Sequence, residues 1–276
     1  MSSLQIPRGP RRIVCLTEEP TEILYLLGEE ERIVGISAYT KRPPRAMEEK
    51  PAVSAFVKGN LKKIKALQPD LVLGFSDIQS KLAETLIAEG LPVLIFNQRS
   101  LQEILGVILD IGSLVGRRRE ARDYIQNAID HLEQARERNA RRPRRPRVYF
   151  EEWDEPMICG IRWVSELIDI AGGEDVFAAK ARGKSARERF VSLPELQAAA
   201  PEVVLASWCG KPFDAGAFAR RDGLQSLPAV QASRLHEIPS EIILQPGPAC
   251  LFDGLTALER AIHGKEALQD AGSRPG

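Results

Sequence analysis

Two tight groups of acids stand where the chain leaves a short apolar run: Glu18 and Glu19 after Ile13 to Leu16, and Glu151, Glu152, Asp154 and Glu155 after Arg147 to Phe150. Carboxylates gathered at such loops make a negative surface that favours a cation, an amine-bearing ligand or a metal complex. A pair facing across a gap, Glu18 with Glu151, is the arrangement that acid/base catalysis uses. The bland role stands beside these: Thr17 and Glu18 precede a helix, and acids near a helix N-terminus stabilise it without touching any ligand. Two or three of the six acids are expected to face a ligand. Cys209, between Trp208 and Gly210, is a soft donor at a strand-to-loop position, suited to a metal or to the small hydrophobic role free cysteines usually play. Cys15, Cys159 and Cys250 have neither CxxC nor zinc-finger spacing, so all four cysteines read as free thiols. His131, His236 and His263 pair with no acid or cysteine at ligand spacing, and no P-loop or GxGxxG occurs.

The elements that must hold these residues alternate between short apolar runs and amphipathic stretches, the pattern of a parallel α/β protein. Strands are expected at Ile13 to Leu16, Ile33 to Ser37, Leu71 to Phe75 and Val93 to Phe96. Helices are expected at Thr21 to Leu27, ended by Gly28, at Leu61 to Leu67, stopped by Pro69, and at Gln79 to Ala88, capped by Gly90. From Ser100 to about Asn139 no strand signal appears. Within that span Ala121, Ile125, Ala128, Ile129 and Leu132 form one apolar face of a long helix. The run Arg141 to Arg147, broken by Pro143 and Pro146, is expected to be a solvated turn rather than a phosphate-binding arm, because no aromatics interleave with the arginines.

The second half restarts the first. Arg147 to Glu151 echoes Arg12 to Leu16, and Asn60 to Phe75, NLKKIKALQPDLVLGF, aligns without a gap to Ser192 to Ser207, SLPELQAAAPEVVLAS. A unit that occurs only twice implies two similar lobes, not a solenoid. The fold class expected is therefore α/β, with two Rossmann-like lobes of parallel sheet bridged by a long backbone helix: residues 1–98, a helical bridge and basic linker at 99–146, and residues 147–276.

The 276 residues carry 38 Lys+Arg and 38 Asp+Glu, so the total charge favours neither a nucleic acid nor an anionic membrane. Apolar stretches such as Leu101 to Leu109 fall short of the roughly 20 residues needed to span a bilayer. Met1 to Arg12 has Pro7 and Pro10 and no apolar h-region, so no export signal and a cytoplasmic location are expected.

In open parallel sheets, ligands bind beyond the carboxyl ends of the strands. Two lobes that face one another would place both loop sets around one cleft. Tyr39, Phe56 and Phe75 of the first half and Trp153 and Trp208 of the second fall at such loops, and walls of this kind suit a large flat ligand. Gln245 lies in the last loop of the set.

The run RIVCLTEEPTEILYLLG, then VGISAY with Pro43-Pro44, then NLKKIKALQPDLVLGF and AGGEDVF, resembles the binding proteins for cobalamin and ferric siderophores, over residues 11 to 262 and most of all in the cobalamin-binding branch. The resemblance implies a non-catalytic solute-binding protein that requires no cofactor of its own and holds a corrinoid or another metal chelate. It also implies aromatic walls at Tyr39, Phe56 and Phe75. The cobalt of a corrinoid is among the soft metals that Cys209 is suited to ligate. The chain departs from that pattern at Glu18 and Glu19, where the family has a small neutral loop, at Glu188 in place of a tryptophan, and at Gln245 in place of an arginine. Transporter-coupled members carry a docking glutamate near the start of the equivalent helix in each lobe. Lys62 and Pro194 stand at those positions here, with Glu195 one step away, so docking on an ABC permease is not supported. A cytosolic carrier or sensor is expected first, with an exported transporter component and an acid/base enzyme as the alternatives.

Overall fold

Ile13, Val14 and Cys15 are wholly buried, as a strand flanked on both sides must be. In the computed structural model, which describes residues 9–264, they form β1 (Ile13–Cys15). Then follow α1 (Glu18–Leu26), β2 (Ile33–Ser37), α2 (Ala46–Glu49), β3 (Ala52–Ala55), β4 (Lys58–Gly59), α3 (Leu61–Ala66), β5 (Leu71–Phe75), α4 (Ser80–Ala88) and β6 (Val93–Phe96). The sheet order is β4-β3-β2-β1-β5-β6, parallel except for the short β3/β4 pair. The chain builds outward from β1 to β3, then returns to add β5 and β6 on the other side, so the connections leaving β1 and β5 diverge. That divergence is the crevice where open α/β sheets take ligands. Val14, Leu16, Val53, Ile64, Val72 and Leu86 form the core on one side of this sheet.

Helix α1 begins three residues earlier than the sequence pattern predicts. Pro20 reads as a turn residue, but it falls in the first helical turn, where no backbone N–H is needed and proline costs nothing.

Two helices follow, α5 (Leu101–Leu114) and α6 (Arg118–Ala140). The predicted apolar face of α6 is buried at Ala121, Ala128 and Leu132 and half-buried at Ile125 and Ile129, and Ala135, one turn further on, is buried as well. By internal contacts the chain divides into two compact units, one through residue 98 plus 102–127, the other 99–101 plus 128 onward. No described helix is long and apolar enough to cross a membrane.

The second unit contains β7 (Arg147–Asp154), β8 (Met157–Cys159), α7 (Arg162–Ile170), β9 (Glu174–Asp175), α8 (Ala178–Ala181), α9 (Leu193–Ala199), β10 (Val203–Ala206), α10 (Ala215–Ala219), α11 (Pro228–Gln231), β11 (Leu235–Glu237), α12 (Ser240–Ile243) and α13 (Leu255–His263). Its sheet order is β11-β10-β7-β8, with β9 also on β7. Strands β7, β10 and β11 are parallel, and β8 folds back antiparallel on the end of β7. Tyr149, Leu196, Val204 and Phe218 centre its core. Gly172 ends α7 at φ +80°, and a Cβ there would sit 2.9 Å from the Asn139 Cβ. Buried Asn139 in turn donates to Ile170 O at 3.1 Å and Glu259 Oε1 at 2.7 Å, fixing the end of α6 within this unit. The basic turn that follows is paired, Arg144 with Glu202 and Arg145 with Asp169.

The internal repeat is physical. Asn60 and Ser192 each cap the helix that follows, accepting from Lys63 N and Glu195 N. Gln68 and Ala200 each turn the chain left-handed before a proline, at φ +46° and +42°. The next acid then latches the start of the unit's first strand: Asp70 accepts from Arg12 N, just before β1, at 2.9 Å, and Glu202 from Arg147 N, the first residue of β7, at 2.9 Å. The return bonds, Asp70 N to Arg12 O and Glu202 N to Arg147 O, are 2.9 and 2.8 Å.

Candidate functional site

At the carboxyl edge of the first unit, β2, β3 and β5 each hand over one of the expected aromatics. Beyond β2, Tyr39 is 57% exposed, its N–H donating to Ser37 Oγ at 3.1 Å. Phe56 follows β3 at φ +49° and is half-buried, with Val57 exposed beside it. Phe75 ends β5 and is buried, so it supports the surface rather than presenting a face to it. Ile78, just after it, is 60% exposed.

Buried Gln79 ties these loops together. Its Oε1 accepts from Phe75 N at 3.1 Å and its Nε2 donates to Phe56 O at 2.6 Å. Replacing Gln79 by Leu leaves the buried Phe75 amide without that partner, at roughly 1–3 kcal/mol if it stays unsatisfied, and releases the half-buried Phe56 carbonyl. The variant is expected to unfold at lower urea and to lose hydrogen-exchange protection first at Phe56 to Val57 and Phe75 to Ser76.

Glu18 and Glu19 depart from expectation. They occupy the first turn of α1 and are buried, not displayed on a loop. Glu19 Oε2 has no hydrogen-bond partner. Burial, then the neighbouring Glu18 charge, pushes the Glu19 carboxyl up to about 8, the Thr17 hydroxyl offsetting only part. Burial likewise raises Glu18. Burial therefore disfavours the charged form of both carboxyls, and neither acid stands on an open loop as the sequence predicts.

The acids of the second unit are committed internally because β7 runs on to Asp154, placing Glu151, Glu152 and Trp153 in a paired strand rather than a loop. Glu151 is fully buried. Its oxygens accept from Arg221 at 2.6 and 2.9 Å, from the Tyr149 hydroxyl at 3.1 Å and from Trp208 Nε1 at 3.1 Å. Burial works against a charged Arg221, yet its bonds to Glu151 hold the guanidinium above its ordinary range. Glu152 takes both nitrogens of Arg189, at 2.5 and 3.0 Å. Asp154 takes Lys211, which the desolvation of Asp154 opposes without preventing a lowered carboxyl pKa.

Trp208 is buried, edge-on to Phe213, while Trp153 is half-buried with Nε1 on Glu155 O at 3.0 Å. Cys209 is exposed, not core. Gln245 follows α12 and is half-buried. Trp163 packs inside, donating to Ile243 O at 2.9 Å. Among the described residues, no group of three His, Cys, Asp or Glu side chains is placed to hold a metal ion. Two hollows of the second unit, about 510 and 520 Å³, are lined largely by charged residues such as Arg136, Asp169, Glu174 and Arg141, unlike the apolar pockets that take flat ligands.

Residues 13–242 match the family described as periplasmic binding protein. The chain belongs to that family. This periplasmic binding protein is 28% identical over 259 residues to a vitamin B12-binding protein of Vibrio parahaemolyticus, covering 91% of this chain and 89% of that one. In fold it resembles a periplasmic haem-binding protein from Roseiflexus sp. RS-1, with TM-score 0.77, 24% identity, and coverage of 92% and 100%. It also resembles the periplasmic vitamin B12-binding protein of Vibrio cholerae, with TM-score 0.73, 22% identity, and coverage of 95% and 100%. As a periplasmic binding protein the chain binds a solute and is not an enzyme, which removes the acid/base reading of Glu18 and Glu151. Sequence reasoning missed Gln79, Lys211 and the partner arginines of this binding protein. The one usable signal was the spacing of Gln79, four residues after Phe75.

Proposed function

We propose that the chain holds a flat metal chelate, a corrinoid or another tetrapyrrole, at the carboxyl-end loops of its sheets. The observation that carries this is the apolar rim of the first unit. Tyr39, Val57 and Ile78 follow three different strands and are 57%, 45% and 60% exposed, large side chains left in water at the edge where α/β sheets take ligands. The names of the relatives, vitamin B12-binding and haem-binding, support the ligand class.

The chain works apart from a permease, as a cytosolic carrier or sensor. Lys62 and Pro194 lie in the first turns of α3 and α9 where docking glutamates would stand, and neighbouring Glu195 is already engaged. It completes the capping box with Ser192 and pairs with Lys180 at 2.7 Å, which with the cap holds its carboxyl down at about 2. Fractionation of the native host is expected to find the chain with the cytosol, and recovery outside it overturns this part.

Titration of the purified chain with cyanocobalamin, cobinamide and haemin, followed by tryptophan emission, is expected to give saturable quenching with at least one of them. No response to any of these overturns the ligand class.

A further inference from the structure

At the carboxyl ends of β7 and β10 the second unit has two indoles, and it covers them with a cation of its own. Lys211 Nζ lies 4.5 Å from the Trp153 ring centre and 4.8 Å from that of Trp208. Both Asp154 oxygens accept from it at 2.7 Å. The arrangement is built by the backbone: β7 ends in Trp153 and Asp154, and β10 hands over Trp208. A turn closed by Lys211 N on Trp208 O, with Gly210 at φ +83°, then folds Lys211 back over both rings. A side chain at Gly210 would strain that turn.

The other cations nearby are fixed inward, Arg221 on Glu151 and Arg189 on Glu152, with side-chain exposures of 19% and 6%. Lys211 is different, since its 40% exposed side chain is held only by an ion pair and ring contacts that water weakens. A planar ligand that stacks on Trp153 takes the place of the ammonium on the ring face. The ammonium has three donors, so it can keep Asp154 and donate to a second carboxylate at the edge of the ligand. Without Lys211, Asp154 faces that carboxylate alone and repels it.

We propose that Lys211 determines specificity at this face, selecting planar metal macrocycles that carry peripheral carboxylates over those whose side groups are neutral amides. The proposal rests on the ligand class given under the proposed function. Its test is calorimetric titration of the full chain, Lys211→Met and Lys211→Arg with three probes: haemin, the carboxylated corrin cobyrinic acid and the amidated corrin cobinamide. The parent chain is expected to bind cobyrinic acid about two- to fivefold tighter than cobinamide. Lys211→Arg is expected to keep that order. Lys211→Met is expected to reverse it and to weaken haemin in parallel. The same cobyrinic acid to cobinamide ratio in the parent and Lys211→Met overturns the proposal and leaves the ligand class standing. No binding of any probe by any of the three proteins overturns the ligand class and the proposal together.

Discussion

Arg221→Met is expected to lower stability by roughly 3–5 kcal/mol, the cost of removing one member of a buried ion pair. Glu151 has no exposed side-chain surface, and Arg221 meets both its oxygens. Once the guanidinium is gone, the Tyr149 hydroxyl and the Trp208 indole N–H still donate, but neither supplies charge. The carboxylate must then stay buried and uncompensated or take up a proton. Adding Glu151→Gln to Arg221→Met removes the stranded charge, and the double variant is expected to recover much of the loss. Urea unfolding of the two single variants and the double one measures this. A loss that merely adds between the two positions would show that the pair is not coupled.

Glu19→Gln is expected to change how stability depends on pH. Folding raises the Glu19 carboxyl to about 8 from an ordinary 4.5, so between those values the native chain holds a proton that the unfolded chain releases. The stability this group contributes is complete below about pH 4.5. It declines by roughly 1.4 kcal/mol per pH unit as pH rises, until the native group also ionises near pH 8. Glutamine keeps the shape and carries no titrating proton. The variant is expected to match the parent at pH 4.5 and to exceed its stability by a margin that widens to pH 8. Burial raises Glu18 in the same direction, so a residual slope of the same sign is expected to persist in the variant. Urea midpoints at four pH values between 5 and 8 test this, and parallel curves for the two chains exclude a raised Glu19.

The strands and the internal repeat were legible because each rests on local chemistry. An apolar run bounded by proline or glycine reads directly as a strand, and the aligned Asn60 and Ser192, Pro69 and Pro201, Asp70 and Glu202 carry the same caps, turns and latches in both units. Where local pattern failed, a local rule had been misapplied. Proline has the look of a turn residue, yet Pro20 sits in a first helical turn that accepts it, and β7 runs on past Glu151 although adjacent acids have the look of a loop. The chemistry of the acids was not legible at all. Arg221, Arg189 and Lys211 lie 70, 37 and 57 residues from the carboxylates they neutralise. No periodicity spans such distances, so an acid that is spent inside the fold looks the same in sequence as one offered to a ligand. The aromatics divided for a similar reason: residue type predicts that Phe75 and Trp208 stay near the sheet edge, but only packing decides that they turn inward while Tyr39 remains in water.

The contrast among the four cysteines has a practical side. Burial holds the Cys15 and Cys159 thiols up at about 12, and Cys250 is buried with its sulfur on Gly247 O, so none of these three offers thiolate to a reagent. Cys209 is exposed, between Trp208 and the Gly210 turn that carries Lys211. The native chain therefore supplies a single attachment point for a maleimide dye, next to the rings where a solute would register. A dye attached there is expected to report binding of the proposed ligand without any change to the sequence.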